Sequence, residues 1–175
     1  MNLDWLERTE LLIGKEQLLK LSQSNVLIVG LGGVGSFAAE FICRAGIGKM
    51  TIIDGDTVDP TNKNRQLPAL NSTVGLSKAS VMANRFLDIN PDLNLSVIDK
   101  FQQPEDNINL IKGESFDYVM DCIDSVSPKI YLIKTCFEMK QRFISSMGAG
   151  GKLDASTVKV GDISKSYNCP FARTI

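Results

Sequence analysis

Gly30, Gly32, Gly33 and Gly35 lie at the end of an apolar run, in Val26-Leu27-Ile28-Val29-Gly30-Leu31-Gly32-Gly33-Val34-Gly35. A strand that breaks into G-x-G-x-x-G and resumes as a helix turns tightly and presents backbone N–H groups to an anion, so a phosphate belongs there. Asp54-Gly55-Asp56 closes the next apolar run. A carboxylate at such a strand end accepts hydrogen bonds from ribose hydroxyls. Asn62, Arg65 and Gln66 follow, and Lys78 opens a later helical stretch. The glycines alone leave NAD, FAD and ATP open. A nicotinamide site needs one acidic residue and no arginine, asparagine or second aspartate beside it. A triphosphate with a departing pyrophosphate does use such charge, so ATP is the expected ligand.

Each of these residues also has a plainer reading. Asp56 faces the same way as Asp54 if the chain stays extended, or it is a turn residue. Lys63, Arg65 and Lys78, taken singly, are solvated cations; beside the glycines they read as phosphate ligands. Asp121 and Asp124 bracket a further strand end in Asp121-Cys122-Ile123-Asp124-Ser125. A carboxylate there can hold Mg2+ against the phosphates, and Asp121 reads equally as a cap on the following turn.

These residues need a frame. Val26 to Val29 is continuously apolar, as in a parallel strand buried on both faces. Val34, Phe37, Ala38, Phe41, Ile42 and Ala45 recur at helical spacing and predict one buried stripe. Further strands are expected at Met50 to Ile53, Leu93 to Ile98, Tyr118 to Cys122 and Phe143 to Ser145. A helix is expected from about Lys78 to Asn90, burying Ala79, Met82, Ala83, Phe86 and Ile89. A weaker one covers Pro104 to Ile111, and another runs from Pro128 to Lys140, burying Ile130, Ile133 and Phe137. Asp4-x-x-Glu7 suggests a capping box for a first helix that Gly14 breaks. The long polar stretch from Asp56 to Thr73 is the length of a functional loop. Alternating strands and helices give an α/β class with a doubly wound, mostly parallel, Rossmann-like sheet. Residues 1–24 form an N-terminal helical segment and 25–175 an ATP-binding domain. Ligands sit beyond the carboxyl ends of the strands, at Gly30, Asp54, Asp121 and Ser146, so the motifs converge.

The 175 residues suffice for one domain with a real core. A net charge of -1 gives no global basic field, so any nucleic acid would need a local patch. With no histidine, acid–base work falls to other side chains or to the substrate. No apolar run is long enough to span a bilayer, and Met1-Asn2-Leu3-Asp4-Trp5 lacks the regions of a signal peptide. Cys43, Cys122, Cys136 and Cys169 form no Cys-x-x-Cys pair and read as reduced thiols of a cytoplasmic protein. Cys169-Pro170-Phe171-Ala172-Arg173 opens a helix that stops at Ile175, so a missing C-terminal part is expected.

Gly30-x-Gly32-Gly33-x-Gly35, Asp54-x-Asp56, Asn62-x-x-Arg65-Gln66, Lys78 and Asp121-x-x-Asp124 together resemble the ubiquitin-activating-like (ThiF/MoeB/HesA) adenylyltransferases. These activate ThiS- and MoaD-type sulfur carriers and their relatives. The resemblance runs from about Arg8 to Ser146. Within that superfamily the chain is most similar to the tRNA threonylcarbamoyladenosine dehydratases. The similar stretches are Arg44-Ala45-Gly46-Ile47-Gly48, Thr61 to Gln66, Val74 to Ala79, Asp124 to Lys129 and Gly148 to Gly151. Carrier activators usually bear two Cys-x-x-Cys zinc pairs, of which Cys169 is at most an echo.

The resemblance implies ATP and Mg2+ as cofactors. Asp54 would bind the ribose, Arg65 and Lys78 the phosphates, Asn62 and Gln66 the phosphate end, and Asp124 the Mg2+. Arg8 would reach the partner's site in a homodimer, or is an exposed helix charge. The implied reaction activates the threonyl carboxylate of the modified adenosine at the α-phosphate, with γ-phosphate attack as the variant. An internal nucleophile then closes a ring. The tRNA would meet a basic patch of Lys63, Arg65, Lys78, Lys129 and Lys152. The alternative is adenylation of the C-terminal glycine of a sulfur carrier, with a carrier or sulfur-transfer protein as partner. A Rossmann oxidoreductase or a silent nucleotide-binding scaffold are the readings from other classes.

Overall fold

A strand apolar at every position has to be covered on both sides, and β1 (Asn25–Val29) is buried along its whole length. In the computed structural model, which describes residues 4–101 and 103–175, β1 is the middle of a five-stranded sheet ordered β3-β2-β1-β4-β5. The others are β2 (Lys49–Ile53), β3 (Asn94–Ile98), β4 (Tyr118–Asp121) and β5 (Phe143–Ser145), and every pairing is parallel. Met1, Asn2 and Leu3, part of the expected N-terminal segment, lie outside the described residues.

Side chains alternate across a strand, and β1 divides its own between two cores. Val26 and Ile28 pack with Met50, Ile52, Met82 and Phe86 on one face. Leu27 and Val29 pack with Ile53, Phe116, Val119, Leu132 and Cys136 on the other. The covering helices are α3 (Gly35–Arg44) and α4 (Lys78–Ile89) on the first face, and α5 (Pro104–Gly113) and α6 (Val126–Glu138) on the second. The chain winds outward from β1 through β2 to β3, then returns beside β1 as β4. The crevice between the carboxyl ends of β1 and β4 is therefore the switch point of the sheet.

Ahead of the sheet stand α1 (Glu7–Ile13) and α2 (Lys15–Gln23). Leu6 and Leu18 are buried, and the Gly48 N–H reaches the Leu21 carbonyl at 3.3 Å, so this segment is fastened to the start of β2. The expected first helix starts later than a cap at Asp4 would place it. Asp4–Leu6 is a 3-10 turn, and α1 begins after Leu6 without a side-chain cap.

Two predicted stripes turn their largest residues outward, although Ile42 of the first still packs against the core. In α3 the inward residues are Gly35, Ser36, Ala39, Glu40 and Cys43, while Val34, Phe37 and Phe41 face out, Phe41 being 69% exposed. Small residues let this helix sit close over the glycine turn, and the large ones have room only outside. In α6 the inward residues are Lys129, Leu132, Thr135 and Cys136. Ile130 and Phe137 are exposed, Phe137 by 78%. A lysine is drawn inside because a carboxylate waits for it there.

Candidate functional site

Gly30 leaves β1 at φ 92°, a left-handed conformation that suits glycine. A Cβ there would come 2.7 Å from the Cys122 carbonyl oxygen, and one at Gly35 would come 1.8 Å from the Gly30 oxygen. These two glycines make the turn and the helix contact possible. Gly32 and Gly33 do something else: they leave the outer surface of the turn bare. The first atom over Gly32 is Gln66 Nε2, 3.8 Å from a built Cβ, and over Gly33 the Arg65 carbonyl oxygen at 3.3 Å and its Cγ at 3.5 Å. Arg65 and Gln66 therefore lie against the two glycines a phosphate would approach.

Asp54 faces the same turn. Its Oδ2 accepts the Leu31 N–H at 2.6 Å and its Oδ1 the Asp56 N–H at 2.8 Å. Burial pushes its pKa up, and those N–H groups pull in the opposite direction. Each carboxylate oxygen keeps a lone pair for a ribose hydroxyl.

From Asp56 the chain leaves the sheet and returns at Lys78. The excursion closes on itself: Val58 N–H meets the Leu76 carbonyl at 2.8 Å and Gly75 N–H the Val58 carbonyl at 2.9 Å. At its base Lys78 Nζ meets Asp56 Oδ2 at 2.8 Å, with the lysine side chain 6% exposed and the aspartate 52%. Inside the excursion Asn62 is buried, and its Oδ1 accepts the Asp59 N–H at 3.1 Å. It shapes the loop that carries Arg65. Arg65 is exposed, its guanidinium donating to the Thr61 carbonyl at 3.2 Å and Asn64 Oδ1 at 3.0 Å. Gln66 is buried, yet its Oε1 has no hydrogen-bond partner. An orphaned amide beside Gly32 is what a bound ligand would satisfy, and a carboxamide can turn to present either oxygen or N–H.

The β4 end corrects one alternative. Asp121 is not open to a metal: Lys129 Nζ sits 2.7 Å from its Oδ2, the two side chains being 1% and 0% exposed. Its Oδ1 accepts the Ile123 N–H at 3.0 Å, so it caps the turn. Asp124 is exposed and forms no hydrogen bond or ion pair with the described residues. The basic patch is corrected too. Lys129 is fully buried and Lys78 nearly so, which leaves Lys63, Arg65 and Lys152 on the surface. Arg8 is exposed on α1, and the contacts that join Gly32, Gly33, Asp54, Arg65 and Gln66 do not involve it.

Two residues take part in ways that nothing in the sequence signals. Ser36 is buried; its Oγ donates to the Gly32 carbonyl at 2.6 Å and accepts the Leu67 N–H at 3.3 Å, stitching the glycine turn to the Arg65 loop. Lys129 is the other. Cys122 borders the turn, but burial raises its pKa to about 11, so it stays a thiol near neutrality. Cys43 and Cys136 are raised to about 11 and about 12 for the same reason.

A glycine turn at the switch point of a parallel sheet, with a carboxylate at the neighbouring strand end and cations beyond it, defines a nucleotide-binding α/β domain. More narrowly, the chain belongs to the ThiF family, whose pattern matches residues 6–174. It is 44% identical over 168 residues to the tRNA threonylcarbamoyladenosine dehydratase of Bacillus subtilis strain 168, covering 96% of this chain and 66% of that protein. To the protein of the same name from Escherichia coli K12 it is 43% identical over 171 residues, covering 96% and 63%. The crystal structure of Escherichia coli tRNA N6-threonylcarbamoyladenosine dehydratase, TcdA, in complex with ATP shares the fold at a TM-score of 0.94. It is 41% identical to this chain and covers 98% of it and 70% of TcdA. A more distant relative is the adenylyltransferase and sulfurtransferase MOCS3 of Drosophila yakuba, 34% identical over 141 residues, 81% of this chain and 30% of that one. The chain thus spans about two thirds of the length of the dehydratases it matches. Among the described residues no helix is long and apolar enough to cross a membrane.

Proposed function

We propose that this chain is the ATP-binding, carboxylate-activating part of a cytoplasmic tRNA threonylcarbamoyladenosine dehydratase. The observation that carries it is the likeness to TcdA bound to ATP, which extends over 98% of the chain and includes the turn at which Arg65 and Gln66 flank Gly32 and Gly33. Residues 25–175 form the ATP domain and 1–24 the helical segment ahead of it. Asp54 holds the ribose. Gly32 and Gly33 let the phosphates approach the backbone, Asn62 orders the loop, and Gln66 meets the phosphate end.

The threonyl carboxylate attacks the α-phosphate, pyrophosphate departs, and an acyl-adenylate forms. Arg65 and Lys78 stabilise the charge gathering on the phosphates. Lys78 exchanges Asp56 for a phosphate oxygen in doing so. A nucleophile within the same substrate then attacks the acyl carbon and AMP leaves with the carboxylate oxygen, so the ring closes with net loss of water. An internal nucleophile is already in place. This suits a crevice whose neighbouring thiol stays protonated and a chain without histidine. Asp124, an exposed oxygen donor at the strand end, fits Mg2+, which would screen phosphate charge.

The chain acts as a homodimer, with Arg8 completing the partner's site. The outward Val34, Phe37 and Phe41, together on the α3 side of the sheet, support an apolar interface. Lys63, Arg65 and Lys152 are the cations that meet the tRNA. The second reading, adenylation of a sulfur carrier's C-terminal glycine, draws support from the 34% identity to MOCS3. Full-length protein, ATP and threonylcarbamoyladenosine tRNA decide between them: the nucleoside loses the mass of one water. An unchanged nucleoside together with an adenylated carrier would establish the second reading.

A further inference from the structure

We infer that Lys129 is a positioning residue for this site: through Asp121 it fixes the turn that carries Asp124 and reserves Asp124 for the metal. The inference rests on the assignment of Asp124 above.

Lys129 has no exposed surface, so its ammonium has no water to solvate it. Its Nζ lies 2.7 Å from Asp121 Oδ2 and 3.1 Å from Ser145 Oγ, and 5.7 Å from the centroid of the Phe171 ring. Ser145 Oγ donates to the same Asp121 oxygen at 2.6 Å. The other oxygen takes the Ile123 N–H at 3.0 Å. Both oxygens are therefore engaged, and the carboxylate cannot turn without breaking bonds to three elements. The backbone is tied as well: Cys122 N–H meets the Val29 carbonyl and Ser146 N–H the Asp121 carbonyl, each at 2.8 Å. Asp124 follows Ile123 directly, so its place in the crevice is set by this turn.

The turn is also a wall of the phosphate site. The Cys122 carbonyl closes on Gly30 so tightly that a Cβ there would sit 2.7 Å away. A turn that relaxed would press on the glycine turn or withdraw from it.

The lysine settles a choice between carboxylates. Asp121 and Asp124 leave the same strand end, and a divalent cation would be drawn to both. Lys129 engages Asp121 in a dry pair, which leaves Asp124 as the open carboxylate. A buried pair of this kind adds little net stability over apolar residues of the same shape, so its value lies in placement.

The test compares wild type with the double variant Lys129→Met, Asp121→Asn, which removes both charges together and so leaves neither one bare. Ser145→Ala is the milder companion. Calorimetry measures ATP affinity with and without Mg2+, and hydrogen exchange reads the segment 121–124. In the double variant the gain in ATP affinity that Mg2+ confers falls about tenfold or more, the size expected for loss of an outer-shell support. Affinity for ATP without Mg2+ is kept, and exchange at Ile123 quickens. Ser145→Ala moves both readouts the same way by less, and decides the matter alone if the double variant does not fold. Wild-type exchange with wild-type Mg2+ dependence would overturn the inference. So would an equal loss of affinity with and without Mg2+, the mark of a merely structural defect. If wild type binds no ATP under either condition, the proposed function fails instead, and hydrogen exchange alone then judges the positioning role.

Discussion

The two ends of β2 and β4 repeat one arrangement in opposite surroundings. Each carries two aspartates, and each has one of them paired with a lysine from the first turn of the following helix. At β2 the pair is Asp56–Lys78, with the carboxylate 52% exposed; at β4 it is Asp121–Lys129, with both side chains dry. A wet carboxylate gives up its partner at small cost, because water replaces the contact. A dry one cannot, because either charge left alone has no solvent. The wet pair can therefore hand its lysine to an incoming phosphate, and the dry pair can only hold its strand end in place. One arrangement serves for exchange and the other for placement, and water alone separates them.

The largest expected effect breaks the dry pair on one side. Lys129→Ala, or Asp121→Ala, leaves an uncompensated buried charge and costs about 3–5 kcal/mol of stability in denaturant unfolding. A cost below about 1 kcal/mol, the value of a surface pair, would place β4 with β2 and remove the contrast.

Next comes Arg65→Ala, which leaves both pairs intact and removes the cation whose aliphatic stem lies over Gly33. Turnover falls about a hundredfold or more in a single-turnover assay of ATP consumption, while the melting temperature holds. Full activity would contradict the role given to Arg65.

The wet pair should respond unequally to loss of its two members. Lys78→Met weakens ATP binding about ten- to a hundredfold, the worth of one charge-assisted hydrogen bond. Asp56→Asn costs about 1–3 kcal/mol of stability, because Lys78 is nearly buried, and leaves ATP affinity equal or slightly higher, because the lysine has lost its competitor. Calorimetry on both variants checks this. A weaker affinity in Asp56→Asn would make Asp56 a direct ligand.

Much of this was legible in the sequence and some was not, for physical reasons. Val26 to Val29 and the glycine turn announced themselves because a strand buried on both faces leaves no room for polar residues, and a turn this tight leaves none for a Cβ. Asp54 could be placed because the apolar run before it ends where the chain leaves the sheet. The stripes of α3 and α6 were misread because side-chain size and periodicity do not say which face a neighbour covers. The small residues of α3 pack inward, and its phenylalanines do not. Lys129 reads as a surface cation because nothing in a sequence reveals that a buried carboxylate waits opposite. Ser36 escaped notice because its role, bonding the Gly32 carbonyl and the Leu67 N–H, exists only once the loop has folded back.

The smallest effect is a pH dependence at the wet strand end. Burial holds Asp54 above the ordinary aspartate range, so on acidification it takes up a proton earlier than an ordinary aspartate would. In the proposed role the ionised form accepts the ribose hydroxyls, so ATP affinity is predicted to decline as pH falls through that raised value. For the fold the sign is opposite, since protonation relieves the cost of burying the charge, and stability from this group is greater at the acid end. Asp54→Asn should bind ATP more weakly near neutrality and flatten the decline, as calorimetry across pH would record. An unchanged decline would assign it to another carboxylate.

The central claim is that ATP activates a carboxylate by attack at its α-phosphate. Threonylcarbamoyladenosine tRNA carrying a heavy oxygen isotope in the threonyl carboxylate tests it in one reaction with the full-length enzyme and ATP. The label is predicted to appear in the phosphate of AMP as the ring closes. Label in orthophosphate, or ring closure with no label in either phosphate product, would contradict the account.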